Sequence, residues 1–397
     1  MNSYRRILGY LLHPTLFILT FFTTSLAGAE LVTGKSWFIS LTMKDLPQGF
    51  SYAFSFLAFL TFHEFGHYFT ALYHRVRCTL PYYIPLFIPV PGMLNIGSLG
   101  AVIAIRERPA STRQYFDIGI AGPLAGFVVS LLLLWYGFTH LPPKEEYILG
   151  IHPEYAAEYG GVPTDEQTRE SLLRQGVQTY SIGNSLLFSL LERFLPGDAS
   201  QVPSHFELMH YPFLFVGYIT LFFTALNLLP IGQLDGGHVI YGMFGRRISG
   251  IISRIAVIGL LMIGGTGLAD LRMDSAWDLL YVTLYAAFLI YMMILMLGRD
   301  SLQVAIPVAI ILFLSQATLK WVFPDYAPNL IWLIYAWMGL RFIKVDHPPA
   351  AHEHRLDWGR MVLGGIAILI FILCFTPDPL RVEGPEPVAT EEVASNR

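Results

Sequence analysis

Nine apolar runs recur along the chain, most of them close to the roughly 20 residues that cross a bilayer as a helix. They occupy residues 9–28, 49–73, 115–138, 211–230, 250–268, 276–297, 303–321, 327–343 and 359–376. The pattern predicts an all-α polytopic membrane protein, a helical bundle of about nine spans. The first run follows Arg5 and Arg6 and ends in Ser25-Leu26-Ala27-Gly28-Ala29, small residues that also suit a signal-peptide cleavage site. Its length exceeds that of a usual signal core, so a retained first helix is preferred.

The segments between the runs are of three kinds. Residues 78–106 are apolar yet carry Pro81, Pro85, Pro89, Pro91, Gly92, Gly97 and Gly100, a density that forbids one regular helix. Both of its flanks are basic, so we expect a re-entrant, β-like excursion whose irregular backbone is covered by protein or lines a wet cavity. Residues 139–210 form the one sizeable polar segment, and 181–195 within it are amphipathic enough for a short interfacial helix. Residues 377–397 are rich in Pro and Glu and read as a disordered tail. The expected division is a first helix with its loop (1–48), a membrane core (49–245, including the 139–210 loop), additional helices (246–376) and the tail (377–397).

Composition agrees with a bilayer as solvent. Of 397 residues, 54% are hydrophobic and 14% charged, against about 25% charged in a soluble domain, and mean hydropathy is +0.52. The net charge of −4 comes without a long basic run, which argues against a nucleic-acid partner. Cys78 and Cys374 fit neither a disulfide framework nor a thiolate metal site and read as inert thiols. Basic residues cluster in alternate loops: Arg75, Arg77, Arg106, Arg108, Arg113, Arg246 and Arg247 fall on the same side as Arg5 and Arg6, and the opposite short loops hold only Lys35, Lys44, Arg272 and Lys320. This bias predicts a cytoplasmic N-terminus, with residues 139–210 on the far side; a bacterial inner membrane is the expected location.

Chemistry concentrates in the second run, at His63-Glu64-Phe65-Gly66-His67. Histidines four apart share one helical face and can grip one ion, and a glutamate between them can take a proton from water. Ionisable groups inside an apolar span are costly unless coordinated, so this cluster reads as functional. Two imidazoles and a water leave a tetrahedral zinc one ligand short. That ligand could come from Asp235 or His238, which follow the helix-breaking Pro230 and Gly232 and flank the flexible Gly236-Gly237.

The combination of HEFGH, Gly97-Ser98-Leu99-Gly100-Ala101, Ala121-Gly-Pro-Leu-Ala-Gly126 and Asn227-Leu-Leu-Pro-Ile-Gly-Gln-Leu-Asp-Gly-Gly237 resembles, in order and spacing, the site-2 protease family of intramembrane zinc metalloproteases. The resemblance spans about residues 49–245. It implies one Zn2+ per chain held by His63, His67 and Asp235, with Glu64 as general base. It further implies that Asn227 holds the substrate or its oxyanion, and that Gly97, Ser98, Leu99 and Gly100 offer a strand edge to an unwound substrate. Substrates of the family are membrane-anchored regulatory proteins. A plain turn is the simpler account of Gly97 to Gly100, and close helix packing that of Gly122 to Gly126. The 139–210 loop shows no PDZ-like strand pattern. Asp346, His347, His352, Glu353 and His354 form a second polar cluster, explained by a solvated loop. The competing function is a membrane metal-ion transporter, but transport needs ligands spread along a route, and these converge on one site with a ready base.

Overall fold

The computed structural model describes residues 2–88, 90, 94–176, 179–272, 276–324 and 326–383. Pro89, Pro91, Gly92 and residues 384–397 of the expected tail lie outside the described residues. Each of the nine apolar runs coincides with a helix: α1 (Asn2–Thr33), α2 (Phe50–Tyr73), α3 (Thr112–Thr139), α8 (Pro212–Leu228), α9 (Asp235–Gly265), α10 (Ala276–Leu297), α11 (Leu302–Val322), α12 (Leu330–Met338) and α13 (Trp358–Cys374). Five segments, in α1, α3, α9, α10 and α11, are long and apolar enough to cross a membrane by length and composition. Four of the expected spans fall outside that set: α2 carries His63, Glu64 and His67, and α8, α12 and α13 are shorter than 18 residues.

Local signals set the helix ends. Ser111 caps α3 in a reciprocal box: its hydroxyl accepts from the Gln114 N–H, and the Gln114 amide oxygen accepts from the Ser111 N–H. Pro212 opens α8, where a missing N–H costs nothing. Between α8 and α9 the chain doubles back so tightly that a Cβ on Gly236 would lie 2.6 Å from the Leu229 carbonyl oxygen. Only glycine fits there, and the turn delivers Asp235 to the first turn of α9, where the helix dipole favours a carboxylate. At Gly245 the backbone leaves helical geometry (φ 75°, ψ 176°), which kinks α9.

Two apolar clusters divide the bundle. One joins α2, α3, α8 and α13, around buried Tyr52, Phe56, Phe116, Leu134, Phe215 and Ile370. The other packs α10, α11 and α12 on the far half of α9, around Leu261, Met292, Ala309 and Trp332. Tyr285 donates to the Gln316 amide oxygen (2.9 Å) and Gln316 donates to the Leu261 carbonyl (2.7 Å), satisfying polar groups inside that second cluster. α13, expected to go with the additional helices, is fastened to the first cluster: Arg360 donates from Nε and Nη2 to the two carboxylate oxygens of Asp117 on α3, 2.7 Å each. Large apolar side chains such as Leu280, Leu284, Ile310 and Ile311 remain exposed on α10 and α11, as lipid contact requires.

The 78–106 segment is β-like as expected. β1 (Tyr82–Pro85) pairs antiparallel with β2 (Ser98–Val102), Tyr83 opposite Ala101 and Ile84 opposite Gly100. The hairpin is seated on α1 and α2: His13 Nδ1 donates to the Pro81 carbonyl (3.0 Å), and the Thr61 and Tyr83 hydroxyls are 2.7 Å apart. The polar segment folds into α4 (Lys144–Ile151), α5 (Glu154–Glu158), α6 (Asp165–Gln175), β3 (Thr179–Ile182) and α7 (Leu186–Phe194), the last inside the expected interfacial helix. The disordered-tail expectation fails at its start. Leu380–Glu383 forms β4, antiparallel to β3, because this short stretch of tail finds backbone partners in a strand some 200 residues earlier in the chain.

Candidate active site

His63 and His67 project from α2 toward α3, and α3 meets them with glycine. A Cβ on Gly126 would lie 2.8 Å from Phe59 Cε2 and 3.3 Å from His63 Nδ1. A Cβ on Gly122 would clash with the His67 ring, 2.5 Å from Cε1 and nearer still to Nε2 and Cδ2. The small residues of the 121–126 motif do pack the helices closely, and what they pack against is the pair of candidate ligands. His67 Nδ1 donates to the Ile118 carbonyl (2.7 Å). That bond fixes the tautomer and leaves Nε2 with a free lone pair, as in ligating histidines generally.

Asp235 completes the group. His63 Nε2 and His67 Nε2 are 3.1 Å apart, and Asp235 Oδ2 lies 3.6 Å from the first and 3.3 Å from the second. Bonds of about 2.0–2.1 Å in a tetrahedral zinc site put ligand atoms about 3.3–3.4 Å apart. These separations bracket that value, all three residues are buried or nearly so, and their ligand atoms lie within 4.8 Å of one another. The donor set therefore fits zinc.

A cavity of about 460 Å³ opens beside this point, lined by Glu64, Asn227, Asp235 and Leu99 to Ile103 of the hairpin. Glu64 is buried next to both histidines. Asn227 Nδ2 is 3.4 Å from His63 Nε2. Of the four hairpin residues singled out by sequence, Leu99 and Gly100 face the cavity. Ser98 is buried, its hydroxyl donating to the Ile84 carbonyl (2.9 Å) and accepting from the Gly100 N–H (3.0 Å). Gly97 is pressed on α1 with φ +86°, where a Cβ would come 2.5 Å from Thr24 Cα; its carbonyl accepts from the Thr23 hydroxyl at 2.7 Å.

His238, the other candidate third ligand, points elsewhere, with its Nδ1 2.7 Å from Nε2 of His347. His347 stacks on Tyr241 (centroids 3.9 Å apart, 14° between planes), and Tyr241 donates to Glu353 at 3.0 Å. The 346–354 cluster is thus a loop that braces the first turns of α9 behind Asp235. Burial, with His238 alongside, pushes the His347 imidazole down to about 3. Sequence reasoning missed this brace and the contact of Gly122 with His67. The spacing of Gly122 and Gly126, one helical turn apart, was the only local signal for the second.

Residues 51–266 match the model of Peptidase family M50. The chain is 30% identical over 215 residues to the Probable zinc metalloprotease EGY1, chloroplastic, of Arabidopsis thaliana, covering 54% of this chain and 33% of that protein. It is 30% identical over 254 residues to the protein of the same name from Oryza sativa subsp. japonica, covering 62% and 37%. To the Probable zinc metalloprotease EGY2, chloroplastic, of Oryza sativa subsp. indica it is 27% identical over 309 residues, covering 77% and 49%. The chain thus spans a third to a half of the length of these relatives. No solved structure matches it.

Proposed function

The chain belongs to peptidase family M50, the site-2 protease family, and from that premise we propose that it is an intramembrane zinc metalloendopeptidase. Its substrates on this proposal are transmembrane segments of membrane-anchored regulatory proteins. The observation that carries it is the convergence of His63, His67 and Asp235 beside a buried Glu64, in a cavity walled by the hairpin.

A zinc ion held there would polarise the scissile carbonyl and acidify a water. The chain's own groups do the rest. Glu64 takes a proton from the water as its oxygen attacks the carbonyl carbon, then passes that proton to the departing amide nitrogen as the C–N bond breaks. Asn227 Nδ2 donates to the oxyanion that develops meanwhile. A helical substrate has its carbonyls bonded internally and must unwind first. Among the described residues β2 is paired on one edge only, so its other edge can offer the unwound backbone new partners along Leu99 to Val102.

The relatives' names bear on protease activity and lend nothing to the transporter alternative. They also place those proteins in chloroplasts, which gives no support to the bacterial inner membrane expected from sequence. The proposal keeps an integral membrane location, with the N-terminus on the side of Arg75 to Arg113. The test is to reconstitute the chain in liposomes with a membrane-spanning reporter and map the cut by mass spectrometry. Zinc-dependent cleavage inside the reporter's apolar span is expected; cleavage confined to its water-exposed flanks would contradict the proposal.

A further inference from the structure

A second group of side chains that could hold a metal, separate from the first, lies where the 139–210 region meets the ends of α1 and α8. His152 caps the C-terminus of α4, and Glu207 and His210 bracket the short turn that precedes α8. His152 Nε2 is 3.1 Å from His210 Nε2, and Glu207 Oε2 is 3.5 Å from His210 Nε2 and 3.9 Å from His152 Nε2.

The hydrogen bonds around this group decide which lone pairs face inward. His210 Nδ1 is 2.6 Å from the Leu31 carbonyl oxygen, which can only accept, so Nδ1 donates. His152 Nδ1 is 2.9 Å from Glu154 Oε1 and likewise donates. With a proton on each Nδ1, the Nε2 atoms are the ones the two rings turn toward each other. Glu207 Oε1 accepts from the Tyr155 hydroxyl (3.1 Å), but Oε2 is buried with no hydrogen-bond partner, on a residue only 3% exposed. Unless one ring carries a second proton, three lone pairs converge on one point with no proton donor between them. Left so, the arrangement is repulsive, and an orphaned buried carboxylate oxygen is costly. A cation at the common point removes both penalties.

We propose that His152, Glu207 and His210 hold a second divalent d-block ion, with zinc the best match to two imidazoles and a carboxylate. The partners of both Nδ1 atoms, a backbone carbonyl and a carboxylate, are those that orient metal-bound histidines elsewhere. The charges of Glu207 and Glu154 together balance a dication. A cavity of about 440 Å³ has His152 and Glu154 in its wall. Bound there, it pins α4 and the head of α8 to the carbonyl end of α1, which makes its role structural.

The site is independent of the protease proposal, and the test keeps the two apart. The full chain, purified in detergent, is loaded with zinc, desalted and counted for metal per chain by plasma mass spectrometry. Two equivalents are expected in the parent, one in His152→Ala, and one in His67→Ala. Substituting cobalt should give visible absorption that survives in His67→Ala. If His152→Ala does not fold, the parent and His67→Ala still decide. A single equivalent in the parent that His67→Ala loses, no metal in His67→Ala, or the same count in His152→Ala as in the parent would overturn the second site and leave a proton shared between the histidines. Should the first site be misassigned, His67→Ala would keep both ions and His152→Ala would still lose one.

Discussion

Adding one methyl group to Gly122 should disable the centre while every ligand residue stays unchanged. An alanine Cβ at this position would sit 2.5 Å from His67 Cε1 and nearer to Nε2 and Cδ2, against the 3.4 Å at which ordinary contact begins. The ring or the helix must therefore yield by at least about 0.9 Å, several times the roughly 0.2 Å tolerance of a metal–ligand bond. The helices have little room to part. A Cβ on Gly66 would already be 2.6 Å from the Ala121 carbonyl oxygen, and one on Gly119 2.6 Å from His238 Cβ, so α3 is wedged between α2 and α9. With His67 moved and its bond to the Ile118 carbonyl broken, zinc affinity should fall by at least about 10²-fold, the upper end for lost support of a ligand. Activity should fall at least as far, since about 1 Å of misplacement costs roughly 10²-fold in rate. Gly365→Ala on the exposed face of α13, where a Cβ meets nothing within 4 Å, is the control and should be neutral. The assay is zinc content and cleavage of a membrane-spanning reporter, with thermal unfolding alongside. A Gly122→Ala protein that keeps the parent's zinc and cleaves within about two-fold of it would refute the packing argument.

Two further outcomes follow from the same geometry. Asp235→Ala should lose one zinc relative to the parent while His238→Ala keeps it, because His238 Nδ1 is engaged with His347; equal metal content in the two variants would show Asp235 not to be a ligand. For topology, Glu166→Cys, exposed in the first turn of α6, is a better probe than its neighbour Thr164, whose hydroxyl caps that helix. In a background with Cys78 and Cys374 replaced, an impermeant thiol reagent should reach Glu166→Cys only from the side opposite the N-terminus, and labelling from the N-terminal side would reverse the orientation.

What could be read in the sequence was whatever repeats locally. Apolar runs located α1 to α3 and α8 to α13, and five of these helices are long and apolar enough to cross a bilayer. The i, i+4 histidines and the Gly-Pro punctuation around Asp235 announced the centre, since both are constraints of one or two turns. The density of proline and glycine marked 78–106 as irregular, though not which residues would pair. Contacts between distant segments were not legible. Nothing near Asp117 forecasts Arg360, 243 residues later, as its partner. Likewise the tail strand Leu380–Glu383 owes its order to β3 rather than to its own composition. His152 and His210 are 58 residues apart and meet only because α4 folds back on the start of α8.

Glu64 is proposed to act as a base on water at a zinc site within the membrane. Glu64→Gln keeps the shape of the side chain and removes its ability to accept a proton at neutral pH. His63, His67 and Asp235 supply the ligand atoms without it. The decisive measurement is cleavage of a membrane-spanning substrate in liposomes by the parent, Glu64→Gln and His63→Ala, with metal counted in each preparation. Glu64→Gln should retain the parent's zinc and lose at least about 10²–10⁴-fold in rate, the usual contribution of a positioned acid–base group. His63→Ala should lose both one zinc and the activity. Cleavage by Glu64→Gln at the parental rate, with His63→Ala inactive, would contradict that role for Glu64.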